Sequence, residues 1–252
     1  LEGYKSKHIG VLLSYEPPKA EGWEMGYLIY YGHSAFEVNV SGKKILIDPW
    51  LSNPLSPVKP ESVTGVDYIL ITHDHDDHLG DTFELLKKNP KAKVVSTFEI
   101  ANFVAEKVND ESRAIGGNMG GPMVVDDKIK VALVPANHTS THGSPVGVVI
   151  ITEDGTLYHA GDTGITAEMG LIGEVYKPDI AMLPIGGHFT MDHNEAAKAV
   201  ELLKPKVAVP MHYGTFPMLY GSPEEFSRIV TSRGLPTKVV ILRPGERFEF
   251  KF

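Results

Sequence analysis

The chain has 252 residues, 42% of them hydrophobic and 22% charged, a formal net charge of −8 and no cysteine. This composition excludes disorder, collagen and coiled coil, and the acidic balance argues against sequence-independent binding of nucleic acid, which depends on basic patches. Without cysteine there is no disulfide framework, no thiol catalysis and no sulfur-ligated zinc, so any metal must be held by nitrogen and oxygen donors.

Residues 1–24 precede the first methionine, Met25, and differ in texture, with Lys5, Lys7 and His8 before a short apolar patch and then Pro17-Pro18. They read as a leader or vector-derived extension, with 25–252 as one domain. The longest apolar runs, such as 146–151, fall far short of the ~20 residues a membrane span needs, so a cytoplasmic protein without a membrane span is expected. Short strands are predicted at 27–31, 35–40, 44–48 and 67–72. Helices follow at 81–89, with Asp81 as N-cap and Pro90 as stop, and at 97–108. The chain returns to strands at 123–125, 129–135, 146–152 and 156–160, with hairpin turns at Asp126-Asp127 and Glu153-Asp154-Gly155. The last third alternates helices at 166–175, 194–203 and 223–232 with strands at 179–184, 206–210 and 238–242. Each half therefore runs from strands into helix–strand units, which predicts two sheets packed face to face with helices outside.

The decisive local feature is Thr72-His73-Asp74-His75-Asp76-Asp77-His78, directly after an apolar strand. A turn there can aim His73 and His75 at one point and Asp77 and His78 at another, which suits two adjacent cations. A two-metal site needs further ligands, and three other strands end on suitable residues: His138, Asp162 and His212. Gly161 and Gly164 permit a tight backbone path around Asp162, whose two oxygens suit a bridge.

Asp48, the His-x-His-x-Asp-His run, His138, Asp162 and His212, in this order, resemble the five-motif signature of the metallo-β-lactamase superfamily. The resemblance spans nearly all of 25–252 and implies a four-layer αββα sandwich. Gly32-His33-Ser34-Ala35-Phe36, Ile45-Leu46-Ile47-Asp48-Pro49, Gly161-Asp162-Thr163 and His212-Tyr213-Gly214-Thr215-Phe216 are similar to small metal-dependent hydrolases of the branch that includes L-ascorbate-6-phosphate lactonase. The His-x-Gly-Thr-Phe ending is shared with N-acyl-phosphatidylethanolamine phospholipase D enzymes. The family pattern implies that His73, His75 and His138 hold one metal, that Asp77, His78 and His212 hold the other, and that Asp162 bridges. Asp48 would accept hydrogen bonds and orient a ligand loop. The absence of a cysteine ligand speaks against antibiotic hydrolysis, and no flavin domain or long substrate-gripping arm is visible.

Weaker candidates lie on neighbouring loops. His188, after a Gly-Gly turn, is expected to touch substrate or protonate a leaving group. His33, Thr190, Tyr213 and Thr215 are expected at the substrate rim, whereas His142 and His193 read as surface or capping residues and His159 as a buried, hydrogen-bonded strand residue. Asp77 is the expected proton carrier for hydrolysis by a hydroxide bridging two ions, zinc first, with manganese, iron, cobalt or nickel as alternatives. The expected substrate is a small ester, lactone or phosphodiester, and a homo-oligomer is compatible with the sequence. The five arginines (Arg113, Arg228, Arg233, Arg243, Arg247) lie away from the motifs, which favours carbonyl over phosphoryl chemistry. Competing readings are a catalytically inactive metal-binding sensor and a nuclease of the same superfamily.

Overall fold

Alternating burial opens the domain as an antiparallel meander of β1 (Gly26–Tyr30), β2 (Phe36–Val40) and β3 (Lys43–Ile47). Ser41 and Gly42, both at positive φ, make the two-residue turn between β2 and β3, as the twist of a tight hairpin requires. The computed structural model describes residues 25–252, and the expected leader at 1–24 lies outside the described residues. After β3 the pairing becomes parallel through β4 (Tyr68–Leu70), β5 (Lys93–Thr97) and β6 (Ala114–Gly117). Parallel neighbours need crossover connections. Those after β4 and β5 carry α1 (Asp76–Leu79), α2 (Thr82–Lys88) and α3 (Phe98–Val108).

The second half repeats this plan. Antiparallel β7 (Met123–Val124), β8 (Lys130–Pro135), β9 (Val146–Ile151) and β10 (Thr156–His159) give way to parallel β11 (Ile180–Pro184), β12 (Val207–Met211) and β13 (Lys238–Val239). Helices α4 (Glu168–Tyr176), α5 (His193–Leu203) and α6 (Pro223–Ser232) make the crossovers, and β14 (Arg247–Phe250) returns to pair with β1. Two seven-stranded mixed sheets result, ordered β14-β1-β2-β3-β4-β5-β6 and β13-β12-β11-β10-β9-β8-β7.

Three buried clusters correspond to three interfaces of a four-layer αββα sandwich. Phe36, Val38, Val148, Leu157 and Val209 belong to the cluster between the sheets. Leu46, Ile69 and Val94 pack on Leu85, Ile100 and Val104 of α2 and α3, while Ala181, Leu183 and Ala208 pack on Met169, Val200 and Phe226 of α4 to α6. None of the described helices is long and apolar enough to cross a membrane.

The main departures from the expected elements are strands defined by distant partners. Lys93–Thr97, where the sequence reading places no strand between the helices at 81–89 and 97–108, pairs with β4 and β6. Strands β6 and β14 were also not anticipated, and β14 meets β1 more than 200 residues away in sequence. The predicted strand at 238–242 keeps only Lys238–Val239 in the ladder. Asp81 precedes α2 but does not cap it through its side chain, because its carboxylate accepts from the Ser52 backbone N–H and hydroxyl instead. Arg113 binds the carbonyls of Leu86, Asn89 and Ala92. It is therefore committed to closing the end of α2.

Candidate metal centre

The loops that follow β3, β4, β8, β10 and β12 carry Asp48, the His73–His78 segment, His138, Asp162 and His212, and these converge on one rim of the sandwich. This is where open α/β sheets place their ligands, beyond the carboxyl ends of parallel strands. The expected reversing turn in the motif is a helical turn: His75 is extended, and α1 begins at Asp76. His73, His75 and His138 offer ring nitrogens within 4.8 Å of one another, and a second such group contains His33, Asp77, His78 and His212. Asp162 lies between them. Its Oδ1 is 3.2 Å from His78 Nε2, and its Oδ2 is 3.0 Å from His212 Nε2, 3.5 Å from His138 Nε2 and 4.0 Å from His73 Nε2.

Asp48 organises candidate ligands of both groups. One carboxylate oxygen accepts from the Thr72 N–H at 2.9 Å, and the other accepts from the Thr72 hydroxyl at 2.7 Å and from His78 Nδ1 at 2.7 Å. The Thr72 hydroxyl in turn accepts from His73 Nδ1 at 2.9 Å. These bonds fix the Nδ1–H tautomers and leave the Nε2 lone pairs of His73 and His78 as donors to a cation.

Two further supports come from residues that the sequence reading placed elsewhere or overlooked. His33 is fully buried, donates from Nε2 to Asp77 Oδ2 at 2.9 Å and accepts at Nδ1 from the Thr215 hydroxyl at 2.6 Å. Its carbonyl receives the His212 N–H at 2.7 Å. His33, Asp48 and His212 all hold positive φ (55°, 44° and 58°), an uncommon conformation for non-glycine residues that these hydrogen bonds hold in place. Asp74, inside the motif but not among the expected ligands, accepts from the Ser140 hydroxyl, the N–H groups of Thr141 and His142, and the His142 ring. It thereby ties the loop carrying His138 to the loop carrying His73 and His75. An aspartate midway between two candidate ligands was the available signal.

The electrostatics favour positive charge. Burial alone would lower the basicity of His78, yet Asp162 and Asp48 raise its pKa well above the ordinary value. Burial would raise Asp162, but His212 and His78 hold it well below the carboxylate range. Asp77 is likewise held low, against burial, chiefly by the His33 hydrogen bond. Burial, reinforced by neighbouring His78, keeps His73 neutral, and burial lowers His33 to about 4. His78 Nε2, Asp162 Oδ1 and both ring nitrogens of His212 are buried without a hydrogen-bond partner among the described residues. His78 and His212 approach Asp162 closely but out of line for hydrogen bonds. Buried unpaired atoms of this kind would be costly in a core, whereas N/O donors grouped around a central carboxylate fit divalent ions.

A profile described as a beta-lactamase superfamily domain matches residues 43–213. The chain is 57% identical over 240 residues to a UPF0173 metal-dependent hydrolase of Aeropyrum pernix, covering 90% of this chain and 99% of that protein. The chain belongs to the metallo-β-lactamase superfamily. Its relatives there include a second UPF0173 metal-dependent hydrolase, from Hyperthermus butylicus, 52% identical over 229 residues and covering 90% of this chain and all of that protein. Among solved structures, Igni18, a metallo hydrolase from the hyperthermophilic archaeon Ignicoccus hospitalis, superposes with a TM-score of 0.85 at 45% identity, covering 91% of this chain and 100% of that chain. An isothiocyanate hydrolase from Delia radicum gut bacteria shares the fold, with a TM-score of 0.71 at 20% identity over 89% of this chain and 99% of that chain.

On this superfamily frame, a cavity of about 620 Å³ opens over the centre, lined by His75, Asp77, His138, Asp162 and His212 and, farther out, by Trp50, Phe189, Phe216 and Met218. The other expected rim residues are distributed differently. His188 is exposed at φ 62°, with its ring edge-on to Phe189, and it is Phe189 that lines the cavity. Thr190 donates to the Met191 carbonyl at 3.2 Å. Tyr213 stacks near Tyr30 in the core and borders a separate depression. Thr215 holds His33. His159 is buried as expected, with Nε2 at 3.0 Å from the Ser34 carbonyl, and His142 stacks on Phe103 beside the Asp74 link.

Proposed function

We propose that this protein is a hydrolase dependent on two divalent ions, acting on a small ester, lactone or phosphodiester. The observation that carries the reading is Asp162 standing between two histidine clusters, with its own Oδ1 and the ring nitrogens Nε2 of His78 and Nδ1 and Nε2 of His212 buried and without a hydrogen-bond partner among the described residues. The names of the relatives, metal-dependent hydrolase and metallo hydrolase, support it. His73, His75 and His138 would hold one ion, Asp77, His78 and His212 the other, and Asp162 would bridge. Zinc is the first choice for this sulfur-free set, and manganese, iron, cobalt and nickel share its preferences. Bound there, the ions supply Lewis acidity and a water acidic enough to ionise near neutral pH.

The chain's own groups supply orientation and proton handling. Asp77 receives the His33 N–H on Oδ2 and lines the cavity, so its other oxygen is placed to accept a proton from the attacking water. His33, neutral and bonded at both nitrogens, fixes that carboxylate's direction. Asp48 and Asp74 hold the ligand loops, and the apolar cavity wall excludes water from the reacting bond. The cavity's size suits a small-molecule substrate rather than a polymer.

The test combines elemental analysis of protein reconstituted at neutral pH with a panel of esters, lactones, thioesters and phosphodiesters, with and without chelator. Two ions per chain and chelator-sensitive turnover are expected. Absence of bound transition metal would remove the basis of the reading, and metal binding without turnover anywhere in the panel would favour a sensor.

A further inference from the structure

The outer part of the cavity has a chemistry of its own. Trp50, Phe189, Phe216 and Met218 form its wall beyond the candidate ligands, and among the described residues no Lys or Arg lines it. Trp50 and Phe216 lie nearly parallel, with centroids 5.8 Å apart and planes inclined by 19°. Each meets the His33 ring edge-on, at 5.2 Å and 88° for Trp50 and at 5.5 Å and 82° for Phe216. Because His33 is buried and bonded to both Asp77 and Thr215, these two rings are fixed relative to the centre before any substrate arrives. Phe189 and Met218 line the same cavity and remain 49% and 44% exposed. The Gly221 N–H bonds the Gly186 carbonyl at 3.1 Å and so ties their two loops together.

Such a wall discriminates by charge as well as by shape. Phosphate esters are ordinarily met by Arg or Lys, and here the ionisable side chain on the outer lining is the exposed carboxylate of Asp76, which repels anions. Apolar surface gives affinity in proportion to the area it covers. Resting on the hydrolase reading above, we propose that the substrate is an uncharged carboxylic ester or lactone bearing an apolar chain or ring, seated between Trp50–Phe216 and Phe189–Met218. Hydrolysis would cleave the acyl C–O bond: the water oxygen bonds to the acyl carbon, one water proton goes to the leaving alkoxide, and the other leaves as the carboxylic acid ionises. An ester gives an acid and an alcohol, and a lactone gives one hydroxy acid.

The experiment uses metal-loaded protein and two matched series, aryl esters and uncharged alkyl amides as their slowly reacting analogues, with acyl chains from two to eight carbons. Calorimetric Kd for the amides is expected to fall about fourfold per methylene until the cavity fills, with kcat/KM of the esters rising in parallel. A terminal carboxylate on the longer chains should cancel most of the gain. Phe216→Ala and Phe189→Ala should flatten the dependence to under twofold per methylene with metal content kept, and Phe216→Leu should restore part of it. A flat dependence in wild-type protein, or tighter binding and faster cleavage of a diaryl phosphodiester than of the matched ester, overturns the proposal. The two levels of inference fail separately. Chain-length-dependent amide binding without turnover of any ester keeps the pocket assignment and sinks the hydrolase reading, whereas chelator-sensitive ester turnover without chain-length dependence does the reverse.

Discussion

The two candidate ligand clusters are built to different standards of burial. His78 and His212 are almost completely buried, and so is His33, which braces Asp77 beside them; each is anchored by a carboxylate, a hydroxyl or a backbone bond. On the other side His73 alone is fully buried, His75 and His138 are partly exposed, and the loop carrying His138 is tied down by Asp74. The difference teaches that orientation in this site is supplied by whatever each loop lacks. In the core, Asp48 gathers the Thr72 and His78 donors; at the surface, Asp74 gathers those of the loop that carries His138.

The comparison breaks most completely at the residue common to both clusters. Asp162→Ala should empty both, with a loss on the order of 3–5 kcal/mol typical of removing one member of a buried charged group. Elemental analysis showing one ion retained would mean that Asp162 serves one cluster only.

Next in size is an acid effect at His33. With the folded pKa of His33 lowered to about 4 by burial, the unfolded chain binds its proton first as pH falls below the ordinary value of about 6.5. Stability of chelator-treated protein should therefore be full above pH ~6.5 and decline by roughly 3 kcal/mol as pH approaches 4. His33→Gln should reduce that decline in urea unfolding between those pH values; an unchanged profile would mean that other groups carry it.

Asp48→Ala should weaken metal affinity about 10–100-fold. Because Asp48 reaches His78 directly and His73 through Thr72, Thr72→Val should reproduce the loss only at the His73 side. Competition titrations that resolve the two binding steps would show it, and equal losses from both variants would contradict the division of labour.

The smallest expected effect sharpens the contrast. Asp74→Ala should cost about tenfold in affinity, at the His73–His75–His138 cluster alone, and should increase amide hydrogen exchange over residues 138–142. Equal weakening at both clusters would show that the two loops are not independently held.

Much of this was legible in the residues themselves. The zero cysteine count, the His73–His78 run behind an apolar strand, and isolated His or Asp residues ending three later strands pointed to a nitrogen–oxygen metal centre in an αββα sandwich, because strand ends and turn residues are local properties. Asp48 was legible through the resemblance to the superfamily's first motif. Roles that depend on what lies opposite were not. Thr215 and His33 are separated by 182 positions yet joined by a hydrogen bond, and His33 emerged as the brace of Asp77. His188, one position from Phe189, is exposed while Phe189 faces the cavity, a choice made by a left-handed turn at Gly187 and His188. Strands β5, β6 and β14 are too short or too polar to announce themselves and exist because a partner strand supplies their hydrogen bonds. The sequence by itself determined the donor types and the strand ends that carry them, since composition and local periodicity specify both. Only the tertiary structure decided which donors share a point, which carboxylate orients which imidazole, and that the cavity wall is largely aromatic and, among the described residues, without Lys or Arg, because these are contacts between segments whose separation along the chain carries no record of their distance in space.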